Sequence, residues 1–388
     1  MTRKYDAVIV GARCAGAATA MLLARAGLHV LVVDHDEPDR DTMSTHALMR
    51  TGVLQLSRWG LMDEIRAGGT PPVTAAEFIY GAERTRVPIV PVAGSDALYA
   101  PRRFVLDGVL AASAARAGAE LRYRTSCAGL LRDEHGRVNG IRLGSGSAPA
   151  EKVNADLVIG ADGRRSTVAR LLEAPVLLEA RNSSACLFGY YGSIPNRGYR
   201  WFWDRGAGGG IIPTNDGLSC IFVSLPDSRA PELRLKQSRE LLDTACRILP
   251  AMAADLEGAD PASALQLFAG QRGRIRQATG PGWALVGDAG YFKDPITAHG
   301  ITDALRDAEM LARSVTAGKP DEYARIRDSL SADFFRLTDL IAGYDWTLEE
   351  ARALHQQLNV AMKAEQAWVN NLADPEIRSS KFNVRLAS

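Results

Sequence analysis

Residues 5–34 read YDAVIVGARCAGAATAMLLARAGLHVLVVD, and the changes of pattern inside that stretch decide the fold. Tyr5 to Val10 is a short apolar run without helical spacing, which predicts a buried strand. Gly11 opens a turn, and the small-residue run that follows has the period of a helix ending at Gly27. Leu28 to Asp34 returns to a continuous apolar run, the pattern of a parallel strand covered on both faces. Together these make a βαβ unit. Within it, Gly11-Ala12-Arg13-Cys14-Ala15-Gly16 stands where a dinucleotide fold places its phosphate-binding turn, and Asp34, 23 positions beyond Gly11, stands where a ribose-binding carboxylate belongs. Gly11 permits the tight turn, Gly16 lets helix and strand approach, and the helix N-terminus offers free N–H groups to a pyrophosphate. Arg13 takes the place of the usual second glycine; its guanidinium either compensates at a phosphate or faces solvent.

Outward from that unit, residues 46–66 read as an amphipathic helix ending near Gly60, and 104–118 as another. The intervening stretch is rich in proline and β-branched residues and predicts inserted strands. A ribbon turning at Glu134 to Gly136 leads into the buried run ADLVIGADG. From about 176 to 270 the pattern becomes strands with glycine turns, followed by a helix near 231–256. WALVGDAG at 283–290 restores the parallel-strand signature, a helix runs from near Thr297 to Ala317, and 321–372 is helical in period. The fold class is α/β: a Rossmann-like nucleotide domain with an inserted, mostly antiparallel substrate sheet and C-terminal helices. The nucleotide domain is discontinuous, formed by 1–75, 100–175 and 271–320; the substrate domain comprises 76–99 and 176–270, and a helical segment spans 321–388.

The 388 residues are 46% hydrophobic and 23% charged with a formal net charge of +1, which excludes a disordered or fibrous chain and supplies no field that favours nucleic acid. Cys14, Cys127, Cys186, Cys220 and Cys246 form neither a CxxC pair nor an even framework, so free thiols are expected and a zinc site is not. No apolar run reaches membrane-span length, and the N-terminus lacks a signal-peptide core; a cytoplasmic location is expected.

Two further motifs carry a resemblance. Residues 160–170, GADGRRSTVAR, contain an Asp162-Gly163 turn, and residues 287–311 read GDAGYFKDPITAHGITDALRDAEML. With the glycine turn, these resemble FAD-dependent monooxygenases of the para-hydroxybenzoate hydroxylase type, related to geranylgeranyl reductases and flavin halogenases. The resemblance runs over most of residues 5–317. It implies that FAD is bound by the turn from Gly11 to Gly16, by Asp34, by Arg103 ahead of a Leu-Asp helix, by the strand carrying Cys127, and by Asp162 and Gly163. It further implies that Asp288 binds the ribityl chain and that the turn Pro295, Ala298, His299, Gly300 brings helix N–H groups to the flavin pyrimidine edge. A helix N-terminus there stabilises the anionic reduced flavin. The sequence departs from the family at Tyr291, Thr297, Ala298 and Thr302, and the arginine of the Asp-Gly fingerprint falls on Ala169, with Arg170 one place later.

By the same resemblance His46 and His299 lie beside the isoalloxazine. They are the catalytic candidates, with a structural or cofactor-contact role as the alternative for each. His29, His35, His135 and His355 are expected at the surface. Trp201, Phe202, Trp203, Tyr190, Tyr191 and Phe222 either line an aromatic-friendly pocket or form a sheet core. The implied activity is that of a monooxygenase using NAD(P)H and O2 to hydroxylate or epoxidise a small, aromatic or apolar substrate. The alternative is a C=C reductase of the geranylgeranyl reductase type, and a non-enzymatic flavin-binding protein is a third class. No lysine occurs between Lys4 and Lys152, where a halogenase would need one. The helical tail is a candidate packing or homodimer surface.

Overall fold

A computed structural model of the chain describes residues 4–38, 41–144, 151–234 and 237–372. The part of the expected C-terminal segment beyond residue 372 lies outside the described residues, as do residues 1–3 and 145–150 of the expected nucleotide domain.

The opening stretch forms strand β1 (Lys4–Val10), helix α1 (Cys14–Arg25) and strand β2 (Val30–Val33). Ala7, Val8 and Ile9 and all of β2 are buried, because both faces of the sheet they join are covered: Ala7, Ile9, Val30 and Val32 pack with residues of α1, while Val8, Leu31 and Val33 pack with Cys127, Val138, Ile141 and Leu143. Beyond β2 the chain forms α2 (Arg103–Arg116), β3 (Glu120–Arg122), β4 (Glu151–Gly160) and β5 (Trp283–Leu285). The strands align in the order β5-β4-β1-β2-β3, all parallel, with Ala7 opposite both Val30 and Leu157. An antiparallel ribbon, Ser126–Arg132 with Val138–Gly144, extends from β4.

Two glycines set how the first strand enters the first helix. At Gly11, φ is +107° and a Cβ would stand 2.4 Å from the Ala161 carbonyl oxygen; at Gly16 a Cβ would stand 1.8 Å from the Gly11 carbonyl oxygen. Any side chain there would force β1, α1 and the end of β4 apart. The alanine-rich face of α1 then packs against α3 (Gly300–Thr316).

A second sheet joins segment 75–88 to strands from 184–268. Its order is Asp260–Pro261, Ser184–Gly192, Ser219–Pro226, Ala207–Pro213, Tyr199–Asp204, Ala75–Tyr80, Glu83–Pro88, with Gln266–Phe268 also beside Ser184–Gly192. Neighbours are antiparallel except Tyr199–Asp204 against Ala75–Tyr80. Trp201, Phe202, Trp203, Tyr190, Tyr191 and Phe222 are buried within it. Helices α4 (Pro320–Ala342) and α5 (Leu348–Asn370) follow α3 and pack on one another. One buried cluster runs from α1 through the aromatics of the second sheet to α5.

The expected helix at 46–66 is shorter and divided: Arg50–Arg58 stops before Gly60, whose φ is +75°, and Met62–Ala67 follows. The helix expected near 231–256 is divided into Ser238–Ile248 and the single turn Ala253–Leu256, with tighter turns at Asp227–Leu233 and Pro250–Met252, because Pro231 and Pro250 interrupt the helical hydrogen bonds.

Candidate active site

A cavity of about 740 Å³ opens at the C-terminal ends of β1 and β2, where the parallel sheet meets the second sheet. Gly11, Arg13, Cys14 and Ala15 line it at the entrance of α1, whose N-terminus has no side-chain cap and no acidic residue in its first turn. Ala12 is next to this wall, and its N–H donates to Asp34 Oδ2 at 2.7 Å; the Asp36 N–H donates to Asp34 Oδ1 at 2.8 Å. These bonds fix the carboxylate at the strand end while leaving lone pairs for hydroxyl donors. Arg13 lies in the wall and not in free solvent: one guanidinium nitrogen pairs with Asp36 at 2.8 Å and the other is buried without a partner among the described residues.

Arg103 lines the cavity and pairs with Asp107 at 2.9 Å. The Cys14 thiol donates to the same carboxylate at 3.0 Å, and burial pushes that thiol well above its ordinary range, so it is a neutral donor. Cys127 lines the cavity from the ribbon, its thiol pushed up to about 11 by burial. Asp162 caps the short helix Thr167–Leu171, accepting from Ser166 Oγ and from the N–H groups of Thr167 and Val168, while Gly163 at φ +75° has open space where a side chain would stand.

Asp288 lines the cavity and accepts no hydrogen bond from the described residues; burial raises its carboxyl against the pull of Lys293, Arg164 and Arg103. Pro295 opens a tight turn capped by Asp294, which accepts from the Ile296 N–H at 2.9 Å. Ala298 is held at φ +49°, a conformation that glycine adopts more readily. Gly300 and Ile301 then bring the uncapped start of α3 to the cavity.

The two candidate histidines part company. His46 lines the cavity, is wholly buried, and bonds Tyr190 through Nε2 at 2.5 Å. Burial holds its imidazole well below the usual range, and Arg102 and Arg103 add to that. His299 does not line the cavity: Nε2 meets Glu365 of α5 at 2.7 Å, and the ring packs on Phe334. Glu365 also accepts from Arg306 at 3.0 Å; Arg306 pairs with Asp303 and Asp307, and Asp303 pairs with Lys293. All of these side chains are buried, so the arrangement ties the turn from Pro295 to Gly300 to the last helix. His355, expected at the surface, is instead half-buried, 4.3 Å from the Trp203 ring with Nδ1 bonded to Tyr80 at 2.9 Å.

Sequence reading missed several cavity residues. Arg164 stands 4.9 Å over the Phe268 ring. Lys293 is brought down to about 7 by burial and then by Arg306. Cys186, Phe188 and Phe292 form an apolar wall. Of these, Arg164 beside the Asp-Gly turn and Phe292 and Lys293 inside the 287–311 motif had a local signal; Cys186 and Phe188 depend on the second sheet closing over the first. Trp201, Phe202, Trp203, Tyr190, Tyr191 and Phe222 are absent from the wall and act as sheet core.

Among known proteins, a family model described as FAD binding domain matches residues 4–318. Menaquinone reductase of Mycolicibacterium smegmatis is 28% identical over 339 residues, covering 84% of this chain and 79% of the relative. Digeranylgeranylglycerophospholipid reductase of Methanosarcina mazei is 28% identical over 326 residues, covering 80% and 75%. Among solved structures, a flavin-dependent brominase superposes with a TM-score of 0.77 at 17% identity over 97% of both chains. Pseudomonas aeruginosa PqsL superposes with 0.72 at 22% identity over 93% of this chain and 100% of that one. At such identities the structural likeness shows the fold.

Proposed function

The chain belongs to the FAD binding domain family and is an FAD-dependent oxidoreductase, and from that premise we propose that it saturates a carbon–carbon double bond in an apolar, isoprenoid-like substrate with electrons from NAD(P)H. The residues present suit FAD. Gly11 and Gly16 each leave no room for a Cβ, Arg13 holds a buried nitrogen without a partner among the described residues, and Asp288 lines the cavity with lone pairs open to a hydroxyl. When bound, FAD supplies hydride transfer, which no side chain can perform. In this reading Gly11 to Gly16, Asp34, Arg103, Cys127, Asp162, Gly163, Asp288, Pro295, Ala298 and Gly300 hold the cofactor. His299 acts through Glu365 to fix the turn, and segments 76–99 and 176–270 supply the substrate side.

The observation that carries the reading is the apolar inner wall. Met43, Ala47, Cys186, Phe188, Phe268 and Phe292 continue the same cavity that begins at the phosphate turn. Such a wall excludes water and binds hydrocarbon, at about 25 cal/mol for each Å² buried. The named relatives act on a quinone and on a digeranylgeranyl lipid, whose chains are hydrocarbon with isolated double bonds.

The test is anaerobic. Holoenzyme reduced by NAD(P)H is mixed with digeranylgeranylglycerophospholipid or menaquinone, and the oxidised flavin spectrum is followed. Recovery of that spectrum together with a saturated product is expected. Turnover that requires O2 and places one of its atoms in the product would instead establish the monooxygenase reading.

A further inference from the structure

Outside the cavity, a third sheet ends in an apolar edge that no described residue covers. We propose that this edge, the strand Val176–Glu179 together with the arginines around it, docks the protein on an anionic phospholipid bilayer. The inference goes beyond the proposed reaction and does not depend on it.

The sheet has three strands in the order Tyr291–Phe292, Arg274–Arg276, Val176–Glu179, with both pairs antiparallel. Its last strand therefore has one side without a hydrogen-bonding neighbour among the described residues. Successive side chains of a strand point to opposite faces, so a strand packed on one face buries every second residue. Val176, Leu177 and Leu178 instead stand 47%, 58% and 48% exposed, so this strand is covered on neither face. The middle strand differs, because Ile275 is buried in a cluster with Ala180, Tyr291 and Phe335. The three apolar side chains thus lie outside the core that holds their sheet together. Apolar groups left side by side at a free sheet edge mark a place of association.

Charge says with what. Residues 164–181 and 272–276, which form and flank the edge, hold seven arginines against two glutamates, in a chain whose net charge is +1. In the ladder, Arg276 stands opposite Val176 and Arg274 opposite Glu179. Arg165, Arg170 and Arg272 are exposed, and they and Arg274 have no ion-pair partner among the described residues. The nearby Asp339 is engaged by the N–H groups of Arg181 and Asn182 at 3.0 and 2.8 Å. An anionic bilayer answers both halves of this face: its hydrocarbon takes Val176, Leu177 and Leu178, and its phosphate headgroups take the guanidinium groups. A second copy paired edge to edge would bring two sets of arginines of like sign together, which opposes that arrangement. The strand is also joined through the short helix Thr167–Leu171 to Arg164 and Arg165, which line the cavity. Docking therefore brings the lipid to the segment that leads to the cavity wall.

The experiment needs no turnover. FAD-loaded protein is mixed with vesicles of phosphatidylcholine alone or of phosphatidylcholine and phosphatidylglycerol in equal parts, and the fraction that sediments with the vesicles is measured. Wild type is expected to bind the anionic vesicles about 10-fold or more tightly than the neutral ones, and to lose that advantage as salt rises. The pair Leu177→Gln and Leu178→Gln, and the pair Arg170→Glu and Arg272→Glu, are each expected to weaken anionic binding about 10-fold or more. All four side chains are exposed and lie outside the cavity wall, so the flavin spectrum and melting temperature are expected to stay as in wild type. Hydrogen exchange of wild type gives a readout free of any variant: residues 176–179 are expected to slow on anionic vesicles. No vesicle binding, equal binding to the two kinds of vesicle, or slowing that spares 176–179 overturns the proposal. So does a dimer in solution that the leucine pair dissociates while vesicle binding persists, which assigns the strand to a second copy. Failure of anaerobic reoxidation overturns the reductase reading and leaves the vesicle result untouched.

Discussion

At the scale of single residues, Asp34 shows how a strand end holds a carboxylate at the rim of a cavity. Both carboxylate oxygens are engaged by backbone N–H groups, at 2.7 and 2.8 Å, so the side chain is fixed before any cofactor arrives. Asp34→Ala is expected to weaken FAD binding about 10- to 100-fold, since a hydrogen bond to a charged group contributes about 1.5–3 kcal/mol. Titrating apoprotein with FAD and following flavin fluorescence measures it; an unchanged affinity would remove Asp34 from the site. The position of the carboxylate at the end of the second strand was legible in the sequence because the βαβ pattern fixes its chain distance from Gly11. Tyr190 was legible only as one aromatic among several on a strand. Its contact with His46 spans 144 positions of sequence, and no local pattern encodes such a pairing.

At the scale of elements, the last helix bears on the cofactor side through buried groups. Glu365 of α5 accepts from Arg306 and meets His299, and burial, which by itself would raise its carboxyl, is outweighed by His299, Arg306 and Lys293, so it is held down near about 2. Glu365→Ala leaves those partners buried without their carboxylate and is expected to destabilise the protein by about 3–5 kcal/mol, measurable by urea unfolding. His355 on the same helix makes the docking pH-sensitive. Burial lowers it from 6.5 to about 4, so the unfolded chain takes up its proton first. The stability it contributes is complete above about 6.5 and is lost as pH falls toward 4. The melting temperature of wild type is expected to fall over that window more steeply than that of His355→Gln. The period of α5 was readable as a helix, but its partners were not, because amphipathic spacing says that a face is buried and not what buries it.

At the scale of the whole molecule, the site exists where two sheets meet. Because its walls come from β1, α1 and α3 on one side and the second sheet on the other, FAD is expected to stabilise both. At 100 times its dissociation constant, bound FAD contributes about 2.7 kcal/mol. Hydrogen exchange is expected to slow on loading in segments 41–48 and 293–301 and in strand Ser184–Gly192; slowing confined to β1 and α1 would contradict a shared cavity. No helix among the described residues is long and apolar enough to cross a membrane. The sequence by itself determined the parallel sheet, the glycine turn, the place of Asp34 at the end of β2 and the turn from Pro295 to Gly300 ahead of α3, because each rests on backbone geometry within a short span, where residue size and φ dictate the chain path. Only the tertiary structure decided that His46 joins the cavity while His299 turns to Glu365, that the aromatic strands are core, and that Cys186 and Phe188 reach the cavity wall. Those outcomes depend on how the second sheet and the terminal helices close over the first, which is settled by packing between residues far apart in the chain.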